Sequence, residues 1–138
     1  MSEKPYRMKR YILAGVLAIL TAASLGAEIP RWLRQNSISP DGTAVAFVYQ
    51  GDIWTVPATG GEASRITANP AHDTDPLWSP DGKWIVFSSV REGSKDIWAI
   101  PAQGGTPYRL TDYGAKENPL AVSPDGKKVL FVRFGDVM

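Results

Sequence analysis

The chain has one histidine, His72, in the stretch AHDTDP beside Asp73 and Asp75. A Ser–His–Asp system needs such a base to take the proton of a nucleophile. The serines that stand out are Ser39, Ser79 and Ser123, each opening a Ser-Pro-Asp-Gly turn. A hydroxyl that returns with every copy of a turn reads as a turn cap, because a nucleophile has no reason to appear in each repeat. Asp73 and Asp75 alternate around Thr74, and with His72 they offer a hard cation two carboxylates and a nitrogen. A calcium site wants about 6–8 oxygens and a zinc site three or four ligands in close array. The two aspartates are therefore expected to bind backbone NH groups in a loop. The sequence assigns no catalytic residue, no cofactor and no metal, and His72 reads as a loop residue.

The elements that hold these residues come from a repeat. SPDG occurs at Ser39-Pro40-Asp41-Gly42, Ser79-Pro80-Asp81-Gly82 and Ser123-Pro124-Asp125-Gly126, at spacings of 40 and 44 residues. Proline presets φ at the second position of a type I turn, and glycine suits the fourth. An apolar run follows each glycine. Three residues on are Val45, Ile85 and Val129, four on are Ala46, Val86 and Leu130, and five on are Phe47, Phe87 and Phe131. β-Branched and aromatic residues without helix caps predict strands, and apolar residues at successive positions predict cover on both faces. GDIW, KDIW and GDVM come next, and the first two copies continue in register through a proline, a Gly-Gly pair and Thr67 or Thr111. The Gly-Gly pair is no phosphate loop, since no Lys-Ser/Thr follows.

Four short antiparallel strands in about 40–45 residues, covered on both faces, describe a β-propeller blade. The predicted class is all-β, with two blade copies and an incomplete third. The expected boundaries are 28–67, 68–111 and 112–138, after a signal peptide over 1–27. A two-sheet sandwich is the alternative, but it does not require identical turns at a fixed period. Asp41, Asp81, Asp125, Asp52, Asp96 and Asp136 recur at fixed offsets, which points to structure. Trp54 and Trp98 read as wedges between blades or, with His72, as contacts for a peptide.

Residues 1–27 carry Lys4, Arg7, Lys9 and Arg10, then YILAGVLAIL, then TAASLGA. This is the order of a secretory signal peptide. A membrane anchor is the alternative, but Tyr11–Ala27 is 17 residues, at the lower limit for a span of about 30 Å. From Glu28 onward 11 basic and 13 acidic side chains remain, a formal charge of −2. No basic stripe attracts nucleic acid or anionic lipid. The chain lacks cysteine, so neither a disulfide nor a thiol-linked lipid forms.

WSPDGKWIVFSSVREGSKDIWAIPAQGG followed by RLT resembles the repeats of TolB and tricorn-protease propellers. RQNSISPDGTAVAFVYQGDIWTVPATGG, behind a signal peptide, is most similar to the start of secreted tricorn-like proteases. The resemblance covers Arg31 to Met138, with Ile38 and Val122 standing where the second copy has Trp78. It implies a longer parent in which further blades and a serine protease domain follow, placed in the periplasm or outside the cell. Its partners would be a peptide or protein substrate and the rest of the parent, with no nucleic acid and, after signal cleavage, no membrane. This part would gate or bind peptide and carry no catalytic residue. The other readings are a non-enzymatic TolB-like protein-binding propeller and the propeller of a prolyl-oligopeptidase-like hydrolase. Incomplete copies leave strand edges open, so residues 28–138 alone are expected to fold poorly or to associate.

Overall fold

The computed structural model describes residues 34–135. The signal-peptide expectation for 1–27 and the aspartate at Asp136 lie outside the described residues. What is described is all-β. The first sheet holds β1 (Arg34–Ile38), β2 (Ala44–Tyr49), β3 (Asp52–Pro57) and β4 (Ser64–Arg65) in that order. The second holds β5 (Asp73–Trp78), β6 (Trp84–Glu92), β7 (Ser94–Pro101) and β8 (Tyr108–Arg109) in the same order. The third pairs β9 (Lys116–Val122) with β10 (Val129–Phe134). All pairs are antiparallel.

Each SPDG turn closes with one set of bonds. The glycine NH donates to the serine carbonyl at 2.8 Å in the first and third turns and 2.9 Å in the second. The serine NH reaches across the hairpin to the carbonyl of Ala44, Trp84 or Lys128. Gly42, Gly82 and Gly126 have φ of 72°, 69° and 69°, a left-handed conformation that disfavours any residue with a Cβ. Identical turn chemistry thus produces the same β1–β2, β5–β6 and β9–β10 hairpin three times.

The strand before each turn is the first of its sheet, and in the second sheet it begins at Asp73, six residues before the turn serine. A bulge in it absorbs Pro76, which cannot donate to a ladder. The outer strands are the reverse, only two residues each. First strands of successive sheets lie side by side, β1 against β5 and β5 against β9.

The second sheet is covered on both faces. Towards the first sheet, Ile85, Phe87, Trp98, Ile100 and Ala102 share a cluster with Ala46, Val48 and Ile53. Towards the third, Val86, Ile97 and Ala99 cluster with Val122, Val129 and Phe131. Alternation along β6 explains the division, because successive side chains leave opposite faces of a strand. An apolar run that would be a fault in a sheet with one wet face is required here.

Candidate functional site

The charged groups gather where β2 meets β3 and β6 meets β7, at the end of the sheets opposite the SPDG turns. Asp52 opens β3, and Arg65 sits on β4 opposite Trp54. The Arg65 Nη2 donates to Asp52 Oδ2 at 2.6 Å, and its Nε donates to the Thr67 carbonyl at 3.0 Å. Arg109 and Asp96 make the same pair in the second sheet, where Arg109 also meets Asp112 at 2.9 Å. Thr67 and Thr111 accept the NH of Ile53 and Ile97 through their hydroxyls, both at 2.9 Å. The aspartate of DIW, the arginine and the threonine therefore form one clasp that holds a two-residue outer strand in place.

A second device escaped the sequence reading. Asp73, fully buried, accepts two bonds from Arg91 Nη2, both at 2.9 Å. Glu117, also fully buried, accepts from Arg133 Nε at 2.8 Å. Each guanidinium lies over an aromatic ring of its own second strand, Arg91 at 5.3 Å from Phe87 and Arg133 at 5.6 Å from Phe131. Arg91 also stacks at 4.8 Å on Trp98 and Arg133 at 4.0 Å on Tyr113. A planar cation suits both tasks, since it donates to a carboxylate at its edge and stacks through its face.

Asp75 belongs to a third group. It and Gln35 occupy left-handed backbone, with φ of 56° and 50°. The Gln35 Nε2 donates to Asp75 Oδ1, and the Asp75 NH donates to Gln35 Oε1 at 3.1 Å. Lys95 Nζ adds a bond to Asp75 Oδ2 at 2.9 Å. Such backbone costs on the order of 1–3 kcal/mol per residue, and it persists when surrounding bonds fix it. This group joins the first strands of two sheets. Asp73 and Asp75 are thus strand residues bonded mainly to side chains, which corrects their expected role as loop carboxylates binding backbone NH groups. The loop reading failed because the register with β6, Asp73 opposite Ser89, extends the strand through them.

The other candidate residues fall as follows. His72 is exposed at the end of the connection between sheets, its Nδ1 2.9 Å from where a Cβ on Gly51 would stand. Trp98 is 7% exposed inside the cluster between sheets, the place of a wedge, which is one of its two expected roles. Trp54 is half-buried, its ring centroid 6.0 Å from that of Tyr49 in an edge-to-face arrangement. The three turn serines give their protons to their own turn aspartates, Ser39 to Asp41 and Ser123 to Asp125 at 2.6 Å, and Ser79 to Asp81 at 2.5 Å. Each serine oxygen also accepts a backbone NH. Among the described residues no three His, Cys, Asp or Glu side chains converge to hold a metal ion. A cleft of about 600 Å3 beside the second and third sheets is lined by Val90, Glu92, Lys95, Arg109, Asp112 and Lys116, among others.

The turn bonds make a pH prediction. The Ser39 hydroxyl, then the Thr43 NH and hydroxyl, hold the Asp41 carboxyl down to about 2. Ser79 and the Lys83 NH lower Asp81, and Ser123 and the Lys127 NH lower Asp125. A carboxyl lowered on folding adds stability above its unfolded value of about 3.9, and that contribution fades as pH falls towards the folded value. Carboxyl carbon shifts followed by NMR should place the Asp41 midpoint near pH 2, and Ser39→Ala should raise it. A wild-type midpoint near 4 would contradict the bonded turn.

Four-stranded antiparallel sheets stacked face to face, with their first strands side by side, are the blades of a β-propeller. The chain belongs to the family described as the tricorn protease N-terminal beta propeller domain, which matches residues 30–135. It is 38% identical over 55 residues to tricorn protease homolog 1 of Streptomyces coelicolor, covering 40% of this chain and 5% of that protein. The crystal structure of TolB from Acinetobacter baumannii aligns with a TM-score of 0.64 and 31% identity, over 75% of this chain and 27% of that one. The crystal structure of the tricorn protease aligns at 0.61 and 22% identity, over 71% and 10%, a likeness of fold. The chain spans between 5% and 33% of the first curated relatives that it matches.

Proposed function

We propose that this chain is the opening part of the propeller of a secreted tricorn-like serine peptidase, where it binds or gates peptide on its way to a separate catalytic domain. The family match over residues 30–135 carries the reading. The small share of the tricorn homolog that is covered supports a longer parent. The repeat limits are taken as 28–67, 68–111 and 112–138, with residues 1–27 as the export signal. In this reading the site is the charged end of the blades. Gln35, Asp75 and Lys95 offer donors and acceptors on or beside the first strands, suited to the amides of an extended peptide. Trp54 is the aromatic that remains partly accessible for a peptide side chain.

A second reading, a TolB-like propeller that binds a protein partner without cleaving it, is favoured by the alignment with the Acinetobacter TolB structure. The coding sequence downstream of Met138 separates them. Further SPDG…DIW copies followed by a serine protease domain are the expected result. A reading frame that closes after the last blade would leave the TolB-like reading. A downstream Gly-x-Ser-x-Gly on an α/β-hydrolase would make the parent a prolyl-oligopeptidase-like enzyme.

A further inference from the structure

The SPDG turns contain every Asp-Gly pair in the sequence: Asp41-Gly42, Asp81-Gly82 and Asp125-Gly126. Asp-Gly is the dipeptide most open to isomerisation, since glycine has no side chain to hinder the reaction. The glycine nitrogen gives up its proton and attacks the aspartate Cγ. One carboxyl oxygen leaves as water, and a five-membered imide closes. Water then adds at the former main-chain carbonyl, breaks its bond to nitrogen and leaves an isoaspartate of unchanged mass. All three aspartates are exposed. Beyond the adjacent residues, nothing lies within 4 Å of where a Cβ on Gly42 or Gly126 would stand, and only Pro40 reaches 4.0 Å from one on Gly82. Neither burial nor crowding therefore protects these pairs. Hydrogen bonds hold both reacting groups instead. Each glycine NH donates to the serine carbonyl. Each aspartate Oδ1 accepts the serine hydroxyl and the NH two residues on, from Thr43, Lys83 or Lys127, at 3.0, 3.0 and 3.1 Å. Asp41 Oδ1 also accepts the Thr43 hydroxyl at 2.8 Å. These bonds keep all three carboxyls below the usual range, and an ionised carboxylate resists attack because its oxygen must be protonated to leave.

We propose that Asp41, Asp81 and Asp125 are modification sites gated by folding, closed while the turn is bonded and open to isoaspartate formation once the hairpin opens. Water is the only co-reactant, and peptide binding at the other end of the sheets is not required. The three sites differ in one respect. Thr43 gives Asp41 a hydroxyl bond that the lysines at positions 83 and 127 cannot supply, so Asp81 and Asp125 isomerise ahead of Asp41. The product changes the fold locally. Isoaspartate runs the main chain through Cβ, which adds one backbone atom, and it moves the free carboxylate to Cα. The serine hydroxyl and the following NH then lose the acceptor that shapes the turn. Turn geometry sets the register of a hairpin, so a hairpin that has opened and isomerised does not return to its original pairing. The serine of each turn thus guards the next peptide bond as well as capping the turn.

The test incubates the full chain at neutral pH in buffer and in guanidinium chloride, then digests it with trypsin. The three pairs fall on separate peptides, 35–65, 66–83 and 117–127. Chromatography separates each isoaspartyl form, and methyl transfer by an isoaspartyl methyltransferase counts it. In guanidinium chloride the three sites should react at one common rate, because each lies in the same Ser-Pro-Asp-Gly surroundings. In buffer each should be slower by at least about tenfold, since two or more hydrogen bonds must break first, and Asp41 should be slowest by about threefold. Thr43→Ala, at an exposed position, should bring Asp41 to the rate of the other two. Ser79→Ala should speed Asp81 alone. Should that variant unfold, all three sites speed together and Thr43→Ala decides. Equal rates in buffer and denaturant, or a Thr43→Ala chain in which Asp41 stays slowest, would overturn the proposal.

Discussion

Replacing Arg91 with alanine is expected to cost about 3–5 kcal/mol of stability, the range for removing one partner of a buried ion pair. Asp73 is fully buried, and the Arg91 side chain is 9% exposed. The substitution leaves a carboxylate in the interior without its two bonds, and it strips a cation from the faces of Phe87 and Trp98. For a domain of this size about 1 kcal/mol moves the thermal midpoint by about 4–8 °C, so a fall of at least about 12 °C should follow. Arg91→Lys should recover only part of the loss, because an ammonium cannot stack a planar face on Phe87 and Trp98 while also giving a second bond to Ser89, as the Arg91 Nε does at 2.9 Å. Arg133→Ala offers a control in the third sheet. Its side chain is 39% exposed, so water screens the pair, and the loss should be clearly smaller. Equal losses at Arg91 and Arg133 would show that burial of the carboxylate is not the source.

Phe87→Ala should be of similar size, about 3–5 kcal/mol, through lost transfer energy and the cavity left behind. Phe87 is fully buried between the first and second sheets. Phe47 and Phe131 occupy the same place in the repeat but are only half-buried. Urea denaturation of the three alanine variants should rank Phe87 far above the others. Three equal values would mean that the phenylalanines stabilise single sheets and that packing between sheets contributes little.

Repetition is why so much of this fold was legible. SPDG encodes its own hairpin, because serine, aspartate and glycine meet their partners within a few residues. The apolar positions three, four and five after the glycine predict a strand covered twice, and β6 is covered twice. The same logic failed for Asp73 and Glu117. Their arginines lie 18 and 16 residues away, one carboxylate is aspartate and the other glutamate, and no shared spacing marks the pair. The Arg65–Asp52 and Arg109–Asp96 clasps were closer to view, since both members recur 44 residues on. Only the antiparallel pairing of β3 with β4 and of β7 with β8 shows that they touch.

By itself the sequence determined the turns, the strands, the repeat and the all-β class, since each rests on contacts between chain neighbours and on a period of two along a strand. The tertiary structure decided which face of each strand meets which sheet, that Trp98 is enclosed while Leu130 and Ile38 are bare, and that Asp73 is a buried ion-pair partner. Burial and charge pairing depend on groups brought together from distant parts of the chain, and the register and stacking that bring them together exist only once the sheets have packed.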